Sequence, residues 1–219
     1  RGQHPAVAFP GGEPVTGQTS LFPPEPAPDP LLCWLWLSQV LGPASLHAGK
    51  VLDAFGGSGA LGLEMLSRGA RSLTTFEIDR NAARLITKNI ESLCRDRARW
   101  RVVTGDMLAS ASRGRVPGGP FDLVLLDPPY AFGAEPVEEL LQNLAQQGLL
   151  APGAFALFEH AAADAGAHPV GFETVREKRY GITSVDLLRW VGDDDGEGDS
   201  AVTDADNNDA TTFQEDAHE

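Results

Sequence analysis

No lysine or arginine occurs between Gly2 and Gly49, and none occurs again from Asp193 to Glu219. Both ends of the chain therefore lack the side chains that bind nucleic-acid phosphates, which supply most sequence-independent affinity for RNA or DNA. The C-terminal stretch also holds eleven acids, so it carries −11 of the formal net charge of −14. By subtraction, residues 1–192 hold 17 basic and 20 acidic side chains, a net of −3. Long apolar runs are missing as well. None approaches the roughly 20 residues that a membrane-crossing helix needs, and no basic-then-apolar leader opens the sequence, so a cytoplasmic protein with no membrane association is expected. Cysteine is scarce: Cys33 and Cys94 stand alone, which excludes a disulfide framework and metal-ligand spacing, and both are expected to be reduced packing residues. No metal is expected.

What is present falls into three parts. Residues 1–30 hold eight of the 16 prolines, including "FPPEPAPDP", and read as an extended, poorly ordered lead-in. Residues 193–219 are too polar and too acidic to bury enough surface to offset their ordering entropy, so disorder is expected there. Residues 31–192 form the domain. Within it, "LLCWLWLSQVL" reads as a helix apolar almost all round. Strand-like and helical segments then alternate: "KVLDAF", "SGALGLEMLSRG", "SLTTFEI", "RNAARLITKNIESLCRD", "RWRVVT", the short "DMLASA", "FDLVLL", "PVEELLQNLAQQ" and "AFALFEH". This alternation predicts an α/β domain with a parallel sheet covered on both faces by right-handed crossovers. "FETVREKRY" and "TSVDLLRWV" predict an antiparallel hairpin at the sheet edge.

Ligands of open parallel sheets bind beyond the carboxyl ends of the strands. Asp53, Glu77 and Asp127 all fall at that end, on the first, second and fourth predicted strands. Gly57, Gly59 and Gly62 in "GGSGALG" match G-x-G-x-x-G at a strand-to-helix junction, where the backbone can approach a ligand closely. Glu77 is placed to accept both hydroxyls of an adenosine ribose. A dinucleotide and S-adenosylmethionine both satisfy this much. Asp53 favours the second, because a fixed negative charge there repels a pyrophosphate and attracts the ammonium of a methionyl group. Asp106 either meets an adenine amino group or simply caps the short helix that follows it. Phe55, Ile78 and Met107 adjoin these residues and complete the expected cofactor set.

"LVLLDPPYAFG" ends a buried strand on an acid and two prolines. Pro128 and Pro129 cannot extend the ladder and restrict the residues before them. The stretch is either a plain strand-ending turn or a rigid site. With a methyl donor in the crevice it acquires a use. Asp127 and the Pro128 carbonyl can accept both hydrogens of an exocyclic base amine and aim its lone pair at the methyl, positioning being the main catalytic effect. Tyr130 supplies a flat face for a base splayed or flipped out of its stack.

On "VLDAFGGSGALGLEMLSRGA", "TTFEIDRNAARLITKNIESL", "LVLLDPPY" and "REKRYGITSVDLLRW", the chain resembles the RsmD-like family, which methylates a guanine N2 amine in bacterial small-subunit (16S) ribosomal RNA. The resemblance runs from about Val51 to Trp190. It implies a class I methyltransferase with a seven-stranded sheet and S-adenosylmethionine as donor. It also implies Asp53, the Gly57/Gly59 loop and Glu77 at the cofactor, with Asp127, Pro128, Pro129 and Tyr130 at the target base. Gly56 stands where the family usually has alanine, a small change. The basic N-terminal region of the family has no counterpart here, so RNA contact is expected chiefly from Arg176, Lys178, Arg179 and Tyr180 on the hairpin. The implied partner is ribosomal RNA within the small subunit or its assembly intermediate, acted on by a monomer. A DNA adenine-N6 methylase, which shares the acid-Pro-Pro-aromatic motif, and an inactive cofactor-binding homologue acting through protein contacts are the alternatives.

Overall fold

The computed structural model describes residues 49–129 and 132–192. The expectations for the proline-rich lead-in, the helix over residues 31–41, Tyr130 and the acidic tail lie outside these residues. Seven strands form one sheet in the order β3-β2-β1-β4-β5-β7-β6. Strands β1 (Lys50–Asp53), β2 (Ser72–Glu77), β3 (Trp100–Thr104), β4 (Phe121–Leu126) and β5 (Leu150–Ala161) run parallel. β6 (Phe172–Tyr180) and β7 (Thr183–Trp190) form the hairpin, with β7 inserted antiparallel between β5 and β6.

Alternation of side chains along each strand divides the core into two layers. Val51, Leu73, Leu123 and Leu125 point to one face, where they meet Met65 and Leu66 of α1 (Ala60–Ser67) and Ile86 and Ile90 of α2 (Arg80–Leu93). Leu52, Phe76, Val124, Leu126 and Phe158 point to the other. There they meet Met107 and Ala111 of α3 (Met107–Ser112) and Val137, Leu140, Leu141 and Leu144 of α4 (Ala134–Gln146). Helix α2 forms where it does because Ala83, Ile86 and Ile90 lie on one stripe and Asp79 caps its start, accepting from the amides of Asn81 at 2.9 Å and Ala82 at 2.8 Å. At the far end of the sheet the exposed Asp122 accepts from the Lys50 amide at 2.7 Å, joining the starts of β1 and β4.

Among the boundaries that differ from the sequence expectation, two have a clear physical reason. β5 begins at Leu150 rather than near Ala154: Leu150 pairs with Phe121, the register then shifts before Leu123, and Pro152 and Gly153 fall in that irregular stretch. Prolines are tolerated in strands at such places. Helix α4 starts at Ala134, ahead of Pro136, which sits in the first turn where its missing N–H has no intrahelical partner to lose. The β5–β7 seam contains a buried polar pair, with His160 Nε2 3.1 Å from Asp186 Oδ2. No helix among the described residues is long and apolar enough to cross a membrane.

Candidate active site

The carboxyl ends of β1, β2, β4 and β5, together with the start of α3, surround a cavity of about 490 Å³. Its floor begins with the turn after β1. The Gly56 amide donates to the Phe76 carbonyl at 2.7 Å and the Gly59 amide to the Gly56 carbonyl at 2.6 Å, which pins the turn against β2. Glu77 fastens it from the other side. One carboxylate oxygen accepts from the Gly57 amide at 2.7 Å and the other from the Asp79 amide at 2.7 Å. Glu77 is thus held in one orientation by the backbone it organises, and each oxygen keeps a lone pair for a ligand.

Gly56 has no room for a side chain: a Cβ there would lie 2.7 Å from Thr75 Cγ2 and 3.1 Å from the Phe76 carbonyl oxygen. Gly62 is likewise approached by Asp53, whose Oδ2 would be 2.7 Å from a Cβ. This places Asp53 beneath the turn and against α1, only 2% exposed, and it does not line the cavity. Burial, and then the nearby charge of Asp127, push its pKa up to about 7. The amides of Phe55 and Gly62 offset part of that rise, yet Oδ2 has no hydrogen-bond partner among the described residues.

Phe55, Gly57, Glu77, Ile78, Asp106, Met107, Asp127, Pro128 and Pro129 all line the cavity. Gly59 does not; it caps α1 and packs against Ile86. Asp106 does cap α3, accepting from the Ala109 amide at 3.2 Å, while also facing the cavity. Asp127 stands exposed at the rim, and its protein side withdraws enough water to raise its pKa. Six lining residues were not anticipated: Ala54, Phe76, Gly105 and Leu108, each next to an expected one, and Phe132 and Glu159. Phe132 is brought back by a turn in which its amide donates to the Pro129 carbonyl at 2.8 Å, and its ring meets Phe55 edge-on at 5.8 Å. Glu159, at the end of β5, is pushed up to about 7 by burial and by Asp127. The only hint of it in the sequence is an acid closing the strand "AFALFEH".

A cavity of about 530 Å³ beside β3 is lined by Thr87, Arg97, Trp100 and Arg101. Arg97 there is engaged by Glu91 and stacks over Trp100 at 4.7 Å, and the strand ends that carry the glycine turn lie elsewhere. The hairpin residues also stand apart from the crevice. Arg176 and Lys178 share one face of β6 with Tyr180, whose ring lies 4.9 Å from Lys178 Nζ, whereas Arg179 points to the opposite face.

A family model described as conserved hypothetical protein 95 matches residues 36–189. The ribosomal RNA small subunit methyltransferase D of Haemophilus influenzae is 31% identical over 144 residues, 66% of this chain and 73% of that one. The chain belongs to the RsmD methyltransferase family. The Escherichia coli protein of the same name is 36% identical over 124 residues, and the match spans 57% of each chain. The solved structure of the putative methyltransferase yhhF from Escherichia coli superposes with a TM-score of 0.63 at 30% identity, covering 77% of this chain and 89% of that one.

Fold and family imply S-adenosylmethionine as the methyl donor, and the crevice fits it. Glu77, Asp106, Asp127 and Glu159 line the cavity with no lysine or arginine among the lining residues. Such a donor set suits a cation and repels a pyrophosphate. Phe55, Phe76, Ile78, Met107 and Leu108 supply apolar walls for an adenine ring.

Proposed function

We propose that this chain methylates the N2 amine of a guanine in small-subunit ribosomal RNA. The observation that carries this reading is that Asp127, Pro128 and Pro129 line the same cavity as Glu77 and Gly57. A cofactor seated on the glycine turn therefore has a carboxylate and a rigid carbonyl facing it. S-adenosylmethionine, when bound, supplies a methyl group activated by a sulfonium centre. Glu77 accepts the ribose hydroxyls in the orientation fixed by the Gly57 and Asp79 amides. Asp106 keeps one oxygen on its helix and offers the other to the adenine amine. Asp53, below the turn, supplies negative charge beneath the methionyl end.

An aromatic amine is a weak nucleophile because its lone pair is delocalised into the ring. Asp127 and the Pro128 carbonyl accept its two hydrogens and hold the nitrogen in line with the methyl group. As the nitrogen becomes cationic, the Asp127 carboxylate takes its proton, a task favoured by its raised pKa. Tyr130, whose placement lies outside the described residues, stacks on the base. The names of the relatives support ribosomal RNA as the substrate class, in the small subunit or its precursor. The test is Asp127→Ala: cofactor binding by calorimetry should stay within a few-fold, and transfer of labelled methyl to small ribosomal subunits should be lost. Retained transfer would refute the role of Asp127, and lost cofactor binding would reassign it to the donor. Tyr130→Phe should be mild and Tyr130→Ala severe.

A further inference from the structure

Of the four carboxylates that line the crevice, Glu159 is the one that the mechanism above does not use. β4 and β5 pair in register up to Leu126 and Phe158, so the next residue on each strand, Asp127 and Glu159, emerges side by side at the sheet edge. Adjacent strands lie about 4.8 Å apart, and both side chains line the same cavity. Glu159 is half-buried and makes no hydrogen bond or ion pair with any described residue. Its neighbour His160 is turned away, with its ring nitrogens on the Ala161 carbonyl at 3.0 Å and on Asp186 at 3.1 Å. After burial, the charge of Asp127, which has the same sign, raises the pKa of Glu159 further. Among the described residues nothing donates to this carboxylate, and it is free to accept from a ligand in the crevice.

Resting on the guanine-N2 reading, we propose that Glu159 is the residue that reads the base, accepting the N1–H of guanine while Asp127 accepts from the N2 amine. Guanine presents two adjacent donors on this edge, N1–H and N2–H, and two adjacent acceptors match them. Adenine presents an unprotonated N1 beside its amine, and cytosine an unprotonated N3. Above about pH 7, where Glu159 is ionised, either would set a lone pair against its carboxylate and leave that half-buried acceptor unpaired, a costly mismatch. The site thus discriminates by repulsion of the wrong base as much as by attraction of the right one.

2-Aminopurine separates recognition from chemistry, since it keeps the exocyclic amine at C2 but has an unprotonated N1. The nucleotide labelled by the wild-type protein is mapped first, and small subunits are then reconstituted with guanine, 2-aminopurine, inosine or adenine at that position. Wild type should prefer guanine over 2-aminopurine by about 30-fold in kcat/KM, within the range of a well-placed base contact. Glu159→Gln should lower guanine methylation at least about tenfold and bring the two bases within about threefold of each other, because its amide can donate to an unprotonated N1. Both proteins are assayed at saturating S-adenosylmethionine, so that loss of one acid from the cavity lining does not enter the comparison. Inosine, which keeps N1–H and lacks the amine, should compete against guanine subunits for the wild-type protein better than adenine at the same position. A guanine preference unchanged in Glu159→Gln, or no competition by inosine, overturns the assignment of Glu159 alone. A wild-type protein that labels no base amine overturns both it and the reading on which it rests.

Discussion

Three carboxyl groups with no cationic partner among the described residues, Asp53, Asp127 and Glu159, have raised pKa values around one crevice, two of them up to about 7. A folded acid with a raised pKa holds its proton more tightly than the unfolded chain does. Its contribution to stability is therefore fully present below about pH 4 and is lost as pH rises toward 7. A cationic ligand reverses the penalty by favouring the ionised forms. S-adenosylmethionine binding should therefore release protons and tighten as pH rises from about 6 to 8. Calorimetry in buffers of different ionisation enthalpy measures this, and Asp53→Asn should reduce the release; a binding enthalpy independent of buffer would contradict it. Glu77→Gln should weaken cofactor binding by about 1–3 kcal/mol, because its amide would present N–H to one of the two backbone amides that Glu77 now accepts from. Glu77, Asp106 and Asp127 were legible in the sequence because each ends a strand or opens a helix beside glycine or proline punctuation. Glu159 was not, since its meaning comes from Asp127 on the neighbouring strand, a pairing that no local pattern encodes. Asp53 was legible as a strand-ending acid, but its depth beneath α1 is a packing property.

The turn between β1 and α1 and the strand β2 fit each other as a pair of elements. Gly56 lies against Thr75 and Ile86, and its amide bonds to Phe76, so alanine at this position is not the small change its volume suggests. Gly56→Ala should destabilise the protein by about 1–3 kcal/mol through overpacking. Thr75→Ser, which removes the methyl group 2.7 Å from the new Cβ, should restore part of the loss. Thermal unfolding of the two single variants and the double variant gives the coupling, and additive effects would contradict the close fit. The order and type of the elements followed from periodicity, including the edge hairpin. The start of β5 did not, because Pro152 and Gly153 look like a loop and become strand only by pairing across an irregular register with β4.

At the scale of the whole molecule, charge bears on the proposed encounter with RNA. Residues 1–192 sum to −3 and the chain as a whole to −14, so a wide electrostatic footprint is not available and contact must be local. The exposed face of β6 that carries Arg176 and Lys178 is the candidate. Replacing both with glutamate should lower kcat/KM on small subunits, flatten its salt dependence and leave cofactor affinity unchanged. An unchanged salt slope would remove the hairpin from the interface. The parallel sheet and the crevice at its carboxyl edge were legible from the alternation of elements, whereas the order of the strands and the pleat that separates Arg179 from Arg176 and Lys178 required the structure. The most direct test of the central claim is to incubate the protein with small ribosomal subunits and labelled S-adenosylmethionine, digest the RNA and identify the labelled nucleoside. The account predicts N2-methylguanosine at a single position, absent with Asp127→Ala. Label in N6-methyladenosine, or no label in RNA at all, would contradict it.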